Sequence, residues 1–241
     1  LSAGGLVELW RRAAEVLLPW HETIGKDARN SATLHADETG WRVNGDTHWL
    51  WCFCSHNNCY YMIDESRGSE ALKKFFTESF KGVLMSDFWG PYQSVLLEES
   101  GERQCCLVHL LRELDHVDTD LLPHKPPDRA KEWCAFVKTL RRLLKDGIRL
   151  RKRKGYTPER YASRIALIDT RLIALAESEH DDPDAKRLAS RLSRHRDELF
   201  TFLDRPEADW NNNFAERQIR PAVILRKNSQ SNRSDRGAAT Q

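Results

Sequence analysis

The spacing of the apolar residues changes once along the chain, and no other feature limits the fold as much. Up to about Val117 the apolar segments are short and lie between turn-forming residues, as expected of strands with helices between them. Beyond Pro123 they become three long helical stripes with little strand signal. In the first, Trp133, Val137, Leu140, Leu144 and Ile148 share a face. In the second, Tyr161, Ile165, Ile168, Leu172 and Leu175 repeat at alternating intervals of four and three. In the third, Leu188, Leu192, His195, Leu199 and Phe202 do the same. With His180 to Asp184 as a turn, the last two predict an antiparallel helical hairpin with an internal seam.

The first half reads element by element. Residues 3–26 form a helix capped by Ser2, with Leu6, Leu9, Trp10, Ala13, Val16 and Leu17 at helical spacing and Pro19 leading out of it. Thr33 to Asp37 is a first strand, ended by Thr39-Gly40. Thr47 to Ser55 is a second, and His56-Asn57-Asn58 turns it into a third from Cys59 to Ile63. Ser69 to Phe80 reads as a helix, Gly82 to Ser86 as a strand ending at Asp87, and Gly90 to Leu97 as a helix begun by Pro91. Arg103 to Leu107 is a fifth strand, followed by a helix from Val108 to about Val117. Asp118 to Asp128, with three prolines, is a loop. Late in the chain, Trp210-Asn211-Asn212-Asn213 opens a helix that Pro221 interrupts or kinks, and Ser229 to Gln241 lacks apolar periodicity.

Three leading strands followed by strand–helix alternation predict an α/β fold with a mixed sheet flanked by helices. Four segments follow: residues 1–30 as a leading helix, 31–122 as the first part of the core, 123–205 as a helical insertion, and 206–241 as a late acidic helix and tail.

Composition excludes some functions. With 38 basic and 36 acidic residues the net charge is only +2, so nucleic-acid contact has to come from local clusters. No apolar run approaches the roughly 20 residues that cross a bilayer. Glu8, Arg11, Arg12 and Glu15 break up the first helix, so it is no signal peptide, and a cytoplasmic location is expected. The start at Leu1 and the polar end at Gln241 read as a fragment of a longer protein. The six cysteines read as free thiols. Cys52, Cys54 and Cys59 have no following C-x-x-C pair, which favours small buried thiols over a zinc site.

Two acids stand at strand ends, Asp37 after the first strand and Asp87 after the fourth. If those strands are neighbours, both carboxylates leave the sheet at one edge, where sites in such sheets lie. Glu216, near the start of the late helix, can reach that edge. Three crowded carboxylates raise one another's pKa unless a cation lies among them. Few carboxylates with open positions suit Mg²⁺, and two ions about 3.5–4 Å apart can drive in-line phosphoryl transfer. From spacing alone, solvated loop acids fit equally well.

Several blocks, in order, resemble the DDE transposases of insertion sequence family 66. They are Leu34-His35-Ala36-Asp37-Glu38-Thr39, Trp49-Leu50-Trp51, Arg67-Gly68, Ser86-Asp87-Phe88-Trp89-Gly90-Pro91-Tyr92, Cys106-Leu107-Val108-His109-Leu110-Leu111-Arg112, and Asn212-Asn213-Phe214-Ala215-Glu216-Arg217-Gln218-Ile219-Arg220-Pro221. Arg226-Lys227-Asn228-Ser229 and Arg236-Gly237-Ala238 fit the closing motif. Leu107 departs from the aromatic residue usual after the cysteine, a matter of packing. The resemblance implies an RNase H-like fold with a helical insertion before the last acidic helix. It places Asp37, Asp87 and Glu216 on the catalytic, metal-binding positions, for Mg²⁺ (or Mn²⁺) and two ions. Glu38, beside Asp37, points the other way and stays outside that set.

The implied reaction is hydrolysis at transposon ends followed by 3′-OH strand transfer into target DNA. The implied partners are transposon-end and target DNA and further copies of the chain on that DNA. The upstream DNA-binding segment of such proteins is not in this sequence. A nuclease of the same fold that cuts without joining, and an inactive DNA-binding or assembly fragment of a mobile element, are the rival readings.

Other residues carry two readings each. His109 contacts phosphate or positions a metal-bound water, or else caps a helix or sits in the core. Asn212 and Asn213 orient Glu216 or bind the DNA backbone, or are plain helix caps. Arg217, Arg220, Arg226 and Lys227 around the acidic helix suit phosphate, or form a solvated face. The run Arg149, Arg151, Lys152, Arg153 and Lys154 tracks phosphates, or complements a helix C-terminus.

Overall fold

In a computed structural model, residues 2–229 and 232–240 are described. The chain divides into two compact units, Leu1–Glu102 with Asn212–Gln241, and Arg103–Asn211. The fold is α/β, with a five-stranded mixed sheet in the order β3-β2-β1-β4-β5.

In the first unit, α1 (Ala3–Arg29) is capped by Ser2, whose hydroxyl accepts from the Gly5 N–H. It runs through Pro19, as the reading of residues 3–26 expects, and ends three residues beyond Lys26. A proline frees only the carbonyl four residues back, and Glu15 is exposed, so water can take that carbonyl. The strands β1 (Thr33–Val43), β2 (Asp46–Cys54) and β3 (Cys59–Asp64) form an antiparallel meander. β1 runs straight through Thr39-Gly40, expected to end it, because β2 pairs with it along its whole later length, Gly40 opposite Trp49. The turn falls instead at Asn44-Gly45, with φ of 52° and 89°, the left-handed pair that a two-residue hairpin demands.

The helix α2 (Ser69–Phe75) ends earlier than the sequence suggests. Phe80 instead takes part in an extended bridge to Leu97, its N–H donating to the Leu96 carbonyl at 2.9 Å. After β4 (Val83–Ser86), Gly90–Ser94 is a single 3-10 turn where a longer helix was expected. The strand β5 (Glu102–Cys105) begins at the end of the first unit and runs into the second.

The sheet's two faces are built from alternate residues. Leu34, Ala36, Trp51 and Phe53 join Phe75, Phe80, Leu84 and Tyr92 on one face. Trp41, Val43, Leu50, Cys52 and Cys54 meet Ala215 and Ile219 on the other. Those last two lie on α8 (Asn213–Ser229), which continues through Pro221 rather than breaking there. The carbonyl that Pro221 frees is that of exposed Arg217, open to water, and the Tyr61 hydroxyl donates to the neighbouring Gln218 carbonyl at 2.9 Å, fastening α8 to β3. Residues 235–240, expected to be irregular, form the short helix α9 (Asp235–Thr240). Gln230, Ser231 and Gln241, part of the same expected tail, lie outside the described residues.

The second unit is helical: α3 (Leu107–His116), α4 (Pro127–Lys152), α5 (Pro158–Glu177), α6 (Pro183–Arg194) and α7 (Thr201–Asp204). Val117–Leu121 is a wide π-helical turn and Leu122–His124 a 3-10 turn where a loop was expected from Asp118. α4, α5 and α6 pack along the expected stripes, burying Trp133, Leu140, Leu144, Ile168, Leu172, Leu188 and Leu192. The third stripe is not one helix, because α6 stops at Arg194 and a 3-10 turn, Arg196–Glu198, intervenes before α7. Asp182 caps α6 and pairs with Lys125 at 2.6 Å. Fully buried Gln104 donates to the Cys105 and Leu199 carbonyls and accepts from the Phe202 N–H.

None of the six cysteines is in a disulfide. Among the described residues, no helix is long and apolar enough to cross a membrane.

Gly82, just before β4, approaches the start of β1 closely. A Cβ there would lie 2.5 Å from the Ser31 carbonyl oxygen and 2.6 Å from that of Ala32. Backbone cannot swing aside as a side-chain end can. Gly82→Ala is therefore expected to destabilise the chain by about 1–3 kcal/mol, read as a lower urea midpoint with an unchanged slope.

Candidate active site

The alternation along β1 decides which acid faces what. Odd-numbered positions share the face of Trp41 and Val43, which α8 covers, so Asp37 emerges toward α8. Glu38 falls on the opposite face. β1 and β4 are parallel neighbours, with His35 level with Met85. Continued two residues, that register sets Asp37 level with Asp87, just past the end of β4. The Asp87 carboxylate accepts from the Trp89 N–H at 2.8 Å, which orients it in the turn.

Glu216 comes to the same place through Asn212. The Asn212 side chain is buried, donates to the Ala36 carbonyl at 2.7 Å and meets His35 Nδ1 at 2.9 Å through its oxygen. Its own backbone carbonyl accepts from the Glu216 N–H at 3.3 Å, so Glu216 lies one turn into a helix pinned beside Asp37. Phe214 packs against the His35 ring, with centroids 5.3 Å apart. Asn213 is the first residue of α8.

The electrostatics follow from this crowding. Burial first, then the negative charges of Glu38, Asp87 and Glu216, raise the Asp37 carboxyl from an ordinary 3.8 to about 7. The Glu38 N–H, 3.0 Å from Asp37 Oδ1, acts in the lowering direction. Glu38 is raised as well, chiefly by burial, but it has compensating partners. Its side chain is 2% exposed, accepting from the Tyr92 hydroxyl at 2.7 Å and from Arg67 Nε at 3.0 Å. The Arg67 guanidinium lies over the rings of Trp49 and Trp89, 4.6 and 4.3 Å from their centroids.

Arg67 and Tyr92 stand within blocks singled out in the sequence but received no role there. The usable signal was Glu38 itself. A carboxylate on the core-facing side of a strand requires buried donors.

The basic residues separate into two groups. On α8, Arg217, Arg220 and Lys227 are exposed, whereas Arg226 is partly buried and donates to the Thr39 hydroxyl and the Gly40 carbonyl. In the second unit, Arg149, Arg151 and Lys152 close α4, and Arg153 and Lys154 follow it. Arg149, Lys152, Arg153 and Lys154 are exposed, while Arg151 donates to the Pro206 carbonyl at 2.5 Å. His109 lies in the first turn of α3, its N–H bonded to the Cys106 carbonyl at 3.2 Å.

The family model described as Transposase IS66 family matches residues 1–240. No curated protein matches the chain.

The raised Asp37 pKa sets a pH dependence in metal-free buffer. An acid with a higher pKa folded than unfolded keeps its proton longer in the folded state. Folding is therefore favoured at low pH, and that contribution is lost as pH climbs from about 4 through 7. Chemical denaturation in the presence of a chelator should show stability falling across this window. Asp37→Asn should flatten the fall, leaving the smaller part due to Glu38. An unchanged slope in the variant refutes the assignment of that titration to Asp37.

Proposed function

The chain belongs to the IS66 family of transposases, and on that premise we propose that it carries the catalytic centre of DNA transposition, with Asp37, Asp87 and Glu216 as its acidic residues. The observation that carries the proposal is geometric: the β1–β4 register sets Asp37 level with Asp87, the Asn212 bond to the Ala36 carbonyl holds the start of α8 beside them, and burial with the charges of Glu38, Asp87 and Glu216 raises the Asp37 carboxyl. Surplus negative charge in a confined place is what a divalent cation relieves. The donors are all hard carboxylate oxygens, which fits Mg²⁺, or Mn²⁺ in its place, and three such groups leave room for substrate and water. When bound, one or two such ions supply Lewis acidity to the attacking and leaving oxygens of an in-line phosphoryl transfer.

The chain's own residues do the rest. Asp37 and Asp87 are held level by the β1–β4 register, and Glu216 by the Asn212 bond across β1. On the other face of β1, Arg67 and Tyr92 fix Glu38, so that this fourth acid is neutralised within the fold. The exposed Arg217, Arg220 and Lys227, which follow Glu216 along α8, suit DNA phosphates. The basic run at residues 149–154 gives a second phosphate-binding stretch, and Arg226 serves the fold instead.

In this reading the architecture is RNase H-like, with the 103–211 unit inserted between the second and third acids. Water first attacks a phosphodiester at the transposon end, breaking a P–O bond and freeing a 3′-OH. That hydroxyl then attacks target DNA, forming a new P–O bond as the old 3′ oxygen leaves. No enzyme–DNA covalent bond forms, so no serine or tyrosine nucleophile is required. Two transposon ends call for paired subunits on DNA.

Asp87→Asn should leave the melting temperature in chelator unchanged or higher, because it removes one repelling charge. It should lower both end cleavage and the joining of pre-cut ends by roughly a thousandfold, the equivalent of several kcal/mol of lost charge stabilisation. A folded variant that still joins pre-cut ends in Mg²⁺ rules out the assignment. A parent chain that cuts but never joins pre-cut ends is a nuclease instead.

A further inference from the structure

The helical unit holds a second cluster of ligating groups that the transposition chemistry does not use. Cys105 ends β5 and is 2% exposed, and His195 follows the last residue of α6 and is 5% exposed. Glu198 closes the 3-10 turn after His195, and its side chain is 15% exposed. One ligand atom from each lies within 4.8 Å of the others. Cys105 Sγ is 3.8 Å from His195 Nδ1 and 3.4 Å from Glu198 Oε2, and Nδ1 and Oε2 are 2.7 Å apart.

We propose that Cys105, His195 and Glu198 form a zinc site inside the helical unit. A thiolate, an imidazole and a carboxylate are the donors Zn²⁺ takes, whereas Mg²⁺ and Ca²⁺ prefer oxygen alone. Three protein ligands leave the fourth tetrahedral position to water. Zinc bonds of about 2.0–2.3 Å place tetrahedral ligand atoms roughly 3.3–3.8 Å apart. Both sulfur distances already fall in that range. Only Nδ1 and Oε2 have to separate, by roughly 0.6 Å, which a carboxylate rotation provides.

The step is redox-neutral. The Cys105 thiol loses its proton to solvent, two sulfur and nitrogen lone pairs and one carboxylate oxygen enter the coordination sphere, and the neutral imidazole keeps its proton on Nε2.

The local chain geometry supports the site independently of the distances. His195 occupies a seam position otherwise taken by leucine and phenylalanine, between Leu192 and Leu199. The helix breaks at that residue, and the following 3-10 turn brings His195 and Glu198, three apart, onto one side. A polar, titratable residue and a helix break at one point of an apolar seam are costly unless the three groups gain by meeting. A bound zinc ion ties the end of β5 to the corner between α6 and α7, closing a loop of some 90 residues. Its soft sulfur ligand makes it chemically distinct from the all-oxygen acids of the first unit.

Co²⁺ added to the chelator-stripped chain is the direct probe, since a cobalt–thiolate bond produces a charge-transfer absorption that carboxylates alone cannot give. The expected result is a band that saturates at one ion per chain, vanishes on adding Zn²⁺, persists in Cys59→Ser and is lost in Cys105→Ser. Zn²⁺ should also raise the melting temperature of the parent chain and not of Cys105→Ser. Should Cys105→Ser fail to fold, His195→Gln and Glu198→Gln, which keep the thiol, must each weaken Co²⁺ affinity at least tenfold. Absence of the band, or a band untouched by these three substitutions, means that the cluster is a metal-free hydrogen-bonded group, and the proposal falls.

Discussion

The bond from the Asn212 amide to the Ala36 carbonyl joins two segments 176 residues apart and sets the geometry of everything around the acids. β1 offers a carbonyl at the one point where the sheet's α8-covered face meets its acidic edge, and the start of α8 is fastened there. Glu216 follows from helical geometry, one turn on. Ala215 and Ile219, on either side of Glu216 along α8, supply the apolar contact that holds the helix down. A neutral alanine at position 212 would leave the Ala36 carbonyl and His35 to find other partners inside the protein, where unpaired polar groups cost about 1–3 kcal/mol each.

β1 separates two acidic environments by the simple alternation of its side chains. Glu38 goes to the aromatic face, where Tyr92 and an arginine held between two tryptophan rings answer its charge. Asp37 goes to the α8 face, where its neighbours are further carboxylates, and its affinity for a proton rises. Adjacent residues of the same charge thus differ in their surroundings: Glu38 has donors that answer its charge, whereas Asp37 has further carboxylates beside it.

Much of this was legible in the residues, and the misses have physical causes. The five strands, the late helix and the apolar stripes of the second unit follow from periodicity. The parallel pairing of β1 with β4 makes sense of acids fifty residues apart. Thr39-Gly40 reads as the end of the first strand, yet β2 pairs across Gly40 and the chain turns at Asn44-Gly45, a pair the sequence reading passes over. Pro221 reads as an interruption or kink, yet α8 continues through it, because the carbonyl it frees belongs to exposed Arg217 and is open to water. The third apolar stripe concealed a corner because heptad spacing survives a 3-10 turn. From the sequence, Asn212 orients Glu216, binds the DNA backbone or caps the helix. That its amide reaches across to β1 depends on tertiary placement, which no local pattern encodes.

The first unit is assembled from two stretches of chain with 103–211 between them. During translation, Asp37 and Asp87 leave the ribosome well ahead of Glu216. At about 5–20 residues per second the intervening stretch takes roughly 5–20 s to synthesise. A nascent chain interrupted in that interval has two of the three acids and no α8 to cover the sheet. The order of the chain thus delays completion of the first unit until the stretch that begins at Asn212 has been made.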